Sequence, residues 1–80
     1  MAEHVSIEFT IEPFTDGAPG IHVTSTIAAV EAMGIAVDVG PFGSSIVVAT
    51  SRIGEVLSVL TSTAYANGAS HVTIDTESVE

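Results

Sequence analysis

The residues able to do chemistry are few and widely spaced. Three histidines, His4, His22 and His71, fall where the sequence reads as a strand start, a helix start and a late strand. No two of them have a ligand-like spacing such as i, i+4 on a helix, and the chain has no cysteine. Neither a metal cage nor a disulfide framework is therefore expected, and the histidines read as surface residues. Glu8 and Glu12 lie on one face of a strand but roughly 13 Å apart, too far for a directly coupled acid–base pair. No Ser or Thr nucleophile has a recognisable base and orienting partner. Gly40-Pro-Phe-Gly-Ser-Ser45 lacks the lysine and the strand-to-helix context of a phosphate loop. The chain does not read as an enzyme.

The elements that must position these residues follow from periodicity. Val5, Ile7, Phe9 and Ile11 alternate with Ser6, Glu8, Thr10 and Glu12, a half-buried strand ended by Pro13. Residues 14–20 are dense in turn formers. Val23, Ile27, Val30 and Met33 recur at helical spacing, with Gly34 placed as a C-terminal cap. Two β-branched runs, Ala36 to Gly40 and Ser44 to Thr50, flank Gly40-Pro-Phe-Gly43 and predict a hairpin at the centre of the chain. Gly40 and Gly43 there can take backbone angles that other residues resist. Ser51 can cap a second helix with the stripe Ile53, Val56, Leu57, Leu60 and Ala64, which Asn67-Gly68 ends. A last strand spans about Ser70 to Thr76.

The order β-α-β-β-α-β is the split-βαβ pattern, an α+β ferredoxin-like sandwich: a four-stranded antiparallel sheet with both helices on one face. Residues 1–80 form a single domain, with 3–76 structured and 77–80 a flexible tail. Its other sheet face stays open in a monomer. A core this small beside a bare sheet predicts a homodimer or homotetramer formed through the sheets.

Charge narrows the partners. Arg52 is the only Lys or Arg against ten Asp and Glu, for a formal net charge of −9. One arginine cannot supply a footprint for phosphates, so nucleic acid is excluded, and an anionic membrane is repelled for the same reason. Hydrophobic content of 46% and charged content of 14% exclude a disordered chain. No apolar run is long enough for a membrane span, and the N-terminus has no basic signal region, so a cytoplasmic location is expected.

Ile7-Glu-Phe-Thr-Ile-Glu-Pro-Phe14 and Val37-Asp-Val-Gly-Pro-Phe-Gly-Ser-Ser-Ile46 together resemble the thiamine-binding, YkoF-like family. The matching phrases are Thr10-Ile-Glu-Pro-Phe14 at the strand end and Gly40-Pro-Phe-Gly-Ser-Ser45 in the hairpin, and the similarity runs from about Val5 to Ile74. Between Ile46 and Thr50 the chain carries no carboxylate, where many relatives have an acidic phrase. The resemblance implies a ferredoxin-like domain that binds thiamine or its hydroxymethylpyrimidine half, needs no cofactor, and assembles as dimers or dimers of dimers. It also implies a carrier, buffer or sensor role and not catalysis. An aminopyrimidine needs fixed donors and acceptors beside an aromatic wall. Thr10, Glu12, Ser44 and Ser45 are the expected polar contacts, with Phe42 or Phe9 as the wall. The competing reading is an oligomeric regulatory domain whose sheet face takes a protein partner or another metabolite.

Overall fold

In the computed structural model the alternation beginning at Val5 becomes β1, His4–Glu12. The structure describes residues 3–15, 17–41 and 43–79. After β1 come α1 (Ile21–Glu31), β2 (Asp38–Val39), β3 (Ser44–Ala49), α2 (Ile53–Ala66) and β4 (His71–Ser78). The four strands form one antiparallel sheet in the order β2-β3-β1-β4. The expected β-α-β-β-α-β order and ferredoxin-like architecture are what the chain adopts.

Alternation divides the sheet into two faces. On the inner face, Ile7, Phe9 and Ile11 of β1 and Ile46 and Val48 of β3 are buried with Val30, Val56, Leu60 and Ala64 from the helices. Each of these side chains larger than alanine contributes about 1.5–3 kcal/mol by leaving water, which drives the sheet and helices together. The outer face holds Ser6, Glu8, Thr10 and Glu12, all at least partly open to solvent.

Several local expectations are corrected. The buried stripe of α1 is His22, Thr26 and Val30, while Val23 and Ile27 are only half-buried. Ser51 does not cap α2. It lies in a 3-10 turn, Thr50–Arg52, and Arg52 occupies the N-cap with no side-chain cap bond. Arg52 instead ties the helices: its Nη2 donates to the Met33 carbonyl at 3.2 Å, and its Nε to Glu55 at 2.6 Å. β2 is two residues long, because the chain before it turns Ile35 into the core and leaves the ladder. β4 runs two residues past its expected end, so Glu77 and Ser78 pair with Ser6 and Val5 and are not a loose tail.

The hairpin glycines serve a purpose other than the expected one. Neither Gly40 nor Gly43 has positive φ; the positive values belong to Gly17, Gly34 and Gly68. At Gly43 a Cβ would lie 3.0 Å from Thr10 Cγ2 and 3.2 Å from the Phe9 carbonyl oxygen. Close approach to β1 is what favours glycine there. The turn is closed by Gly40 N–H donating to the Gly43 carbonyl at 2.7 Å.

Candidate functional site

Register, and not spacing along the chain, assembles the site. Ser45 of β3 stands opposite both Asp38 of β2 and Glu8 of β1, and Glu8 stands opposite Asp75 of β4. One row across the outer face therefore reads Asp38, Ser45, Glu8, Asp75. The next β1 residue on that face, Thr10, stands opposite Thr73. These six residues line a concavity of about 440 Å³ walled at one end by Gly40, Pro41 and Gly43. That volume falls in the range of small-molecule sites, about 300–1,000 Å³.

The electrostatics of this cleft are one-sided. Glu8 and Asp75 are direct cross-strand neighbours, and like charges so placed repel. Asp38 adds a third carboxylate about two strand spacings, roughly 10 Å, from Glu8. The single arginine is engaged with Met33 and Glu55, and among the described residues that line the cleft none is basic. Carboxylates and hydroxyls together offer many acceptors but few donors. Such a surface accepts a ligand that is cationic and rich in N–H or O–H groups.

The expected site residues separate. Thr10 and Ser45 line the cleft. Ser44 stands opposite Phe9, one residue out of phase with Ser45, and borders the cleft from the sheet end. Glu12 lies at the far end of β1 opposite His71 and lines neither this cleft nor its neighbour. Its place as the nearby carboxylate is taken by Glu8, Asp38 and Asp75. Phe42 lies outside the described residues, and Phe9 is a core side chain only 2% exposed. Sequence reading gave Asp38, Thr73 and Asp75 no role, since only pairing across three strands brings them beside Glu8. Their one signal is that Thr73 and Asp75 hold the polar positions of an alternating strand.

A second, larger concavity of about 640 Å³ lies across the hairpin turn, under the loop after β1. Ile11, Phe14, Pro19, Val23 and Val39 make it apolar, and Phe14 is 68% exposed at its rim. Thr10, Ser44, Gly40, Pro41 and Gly43 border both concavities, so the turn is their common wall.

His22 holds the loop that roofs this second space. Read from the sequence as a surface residue, it is only 6% exposed. Its Nε2 is 2.6 Å from the Pro13 carbonyl oxygen, and a carbonyl can only accept, so the proton sits on Nε2. A Cβ on Gly20 would come within 2.6 Å of the ring, so glycine leaves room for the imidazole. Among the described residues no group of three or more His, Asp or Glu is arranged to hold a metal ion.

The fold and site define a small ferredoxin-like domain with an acidic, hydroxyl-lined cleft on its open sheet face. No protein-family model matches the chain, and no curated protein matches it. Solved structures do. A domain of unknown function, DUF77, from Bacillus cereus is 17% identical with a TM-score of 0.67, covering 95% of this chain and 74% of that one. A protein from Streptococcus pneumoniae is 17% identical with a TM-score of 0.69, covering 92% and 82%. A hypothetical protein from Methanocaldococcus jannascii is 18% identical with a TM-score of 0.63, covering 98% and 80%. At these identities the likeness is one of fold. No helix among the described residues is long and apolar enough to cross a membrane.

Proposed function

We propose that the protein binds a small organic cation of the thiamine or hydroxymethylpyrimidine class in the cleft between Asp38 and Asp75, without chemically changing it. The carrying observation is the convergence of Glu8, Asp38 and Asp75 with Thr10, Ser45 and Thr73 on one concavity that holds no cationic side chain. An exocyclic amino group and a protonated ring nitrogen donate to carboxylates, and such charge-assisted bonds are about twice as strong as neutral ones. A thiazolium is drawn by the same field, with a net charge of −9 behind it. Phe14, exposed at the rim of the neighbouring concavity, offers a face to a ring reaching over Gly43. Holding the ligand mainly by acceptors suits a carrier, buffer or sensor.

Isothermal titration with thiamine, and separately with hydroxymethylpyrimidine, tests this reading. Binding of either is expected to weaken roughly ten- to a hundredfold in Asp75→Asn, the cost of one charged hydrogen bond of about 1.5–3 kcal/mol. Ser45→Ala should cost less, about 1 kcal/mol. Heat with wild type that Asp75→Asn and Glu8→Gln leave unchanged would move the site elsewhere. Absence of heat with both compounds would defeat the ligand class and favour a protein partner on the open face.

A further inference from the structure

We propose that the cleft takes its ligand as the free alcohol and rejects the phosphate ester of that hydroxyl. The inference rests on the ligand class proposed above, whose members each carry one primary hydroxyl. A phosphate ester places about −1.5 to −2 charges where the alcohol is neutral. What the site offers to that oxygen therefore decides which form it holds.

Phosphate is received by lysine or arginine, by clustered backbone N–H groups, or by a helix N-terminus. The first is missing from the cleft. Arg52, the chain's only Lys or Arg, lies past the end of β3 opposite the turn, and it donates to the Met33 carbonyl and to Glu55 on the helical side of the sheet. The turn that walls the cleft is poor in N–H groups to offer. Gly40 N–H is bonded to the Gly43 carbonyl at 2.7 Å, and Pro41 has no N–H. Hydroxyls remain, on Thr10, Ser45 and Thr73. Each both donates and accepts, which suits a neutral alcohol but cannot neutralise a dianion. The carboxylates of Asp38, Glu8 and Asp75, in one row across the same cleft, oppose a phosphate directly.

A helix N-terminus is the competing feature. α1 begins at Ile21 with no side-chain cap and no acidic residue in its first turn, and Pro19 and Val23 beside its start line the second concavity. A helix end is equivalent to about half a unit charge, and its effect falls off within a turn. Two of its first N–H groups, those of Val23 and Thr24, are already bonded to the Gly20 carbonyl. Three full charges in the cleft outweigh it. A protein so selective holds the compound that phosphoryl transfer to the hydroxyl consumes.

Isothermal titration of the full chain at about pH 8, where the ester is a dianion, tests this with thiamine and with thiamine monophosphate. Two added charges within about 10 Å of the carboxylates lie close to one screening length at 0.15 M salt, about 8 Å, so the ester should bind about tenfold or more weaker than the alcohol. At 1 M salt that length is about 3 Å, and the ratio should fall toward unity. Thr73 is exposed on the outer face, so a lysine fits there and brings an ammonium into the cleft. Thr73→Lys should narrow the ratio about tenfold, by tightening the ester and weakening the cationic alcohol. If Thr73→Lys does not fold, the salt dependence of the wild-type ratio decides alone. An ester that binds wild type as tightly as the alcohol would overturn the inference and leave the ligand class standing. Heat from neither compound defeats the ligand class, and the inference falls with it.

Discussion

Replacing Glu8 by glutamine should stabilise the fold while weakening ligand binding. Glu8 and Asp75 are direct neighbours on β1 and β4 and form a hydrogen-bonded pair, for which Cα atoms stand about 5.5 Å apart. Two unit charges about 6 Å apart in water repel by roughly 0.7 kcal/mol, within the range of about 0.2–1 kcal/mol for cross-strand pairs. Glutamine keeps the shape and removes the charge. For a domain of this size 1 kcal/mol corresponds to about 4–8 °C, so Glu8→Gln should raise Tm by about 1–6 °C at low ionic strength. At 1 M salt the screening length falls to about 3 Å, and most of the gain should vanish. Thermal melts of wild type, Glu8→Gln, Asp75→Asn and the double variant at two salt concentrations make the measurement. Once one charge is gone the pair's repulsion is gone, so the double variant should gain little over either single one. A Tm that is unchanged or lowered in Glu8→Gln at low salt would refute the pairing of these carboxylates as the dominant local charge effect.

Four further substitutions probe the scaffold. Gly20→Ala would press a methyl against the His22 ring that Pro13 holds in place; it should cost about 1–3 kcal/mol in urea denaturation and make the loop at 13–20 more susceptible to protease. Thr26 is fully buried, yet its hydroxyl donates only to the His22 carbonyl one turn back, so Thr26→Val should fall within about 1 kcal/mol of wild type. Leu60→Ala, which empties a fully buried position, should cost about 2–5 kcal/mol by the same assay. Gly68, at φ +97°, ends α2; Gly68→Ala should lower stability by about 1–2 kcal/mol, seen as a lower urea midpoint with unchanged m.

The fold was legible because its signals were local. Period-two alternation through Ile7, Phe9 and Ile11, and the stripe through Val56, Leu60 and Ala64, each fix one buried face without reference to the rest of the chain. α1 was legible in extent but not in orientation. Its buried line is His22, Thr26 and Val30, and hydrophobicity alone turns a helix away from a histidine and a threonine. Their burial depends on the Pro13 carbonyl and on a hydroxyl bond within the helix, neither visible as a pattern of apolar residues.

The candidate site was less legible, because it is a row across strands. Thr10 and Glu12 share a face, as alternation requires, but only Thr10 meets the hairpin turn. Ser44 and Ser45 are adjacent in sequence and so fall out of phase, Ser45 beside Glu8 and Ser44 beside Phe9. Asp38, Glu8 and Asp75 are 30 or more positions apart along the chain, and their meeting is a consequence of three registers at once. Spacing rules built for one helix or one strand cannot find such a row.

Amide chemical-shift mapping on isotope-labelled protein titrated with thiamine tests the central claim most directly, since it reads location as well as binding. Saturable shifts confined to Glu8, Thr10, Gly43, Ser45, Thr73 and Asp75, with Glu12 and His71 little affected, are the result predicted by a cleft built from the row of carboxylates. Shifts that gather instead around Glu12 and His71, or on the helical face, or no saturable shifts at millimolar thiamine, would contradict it.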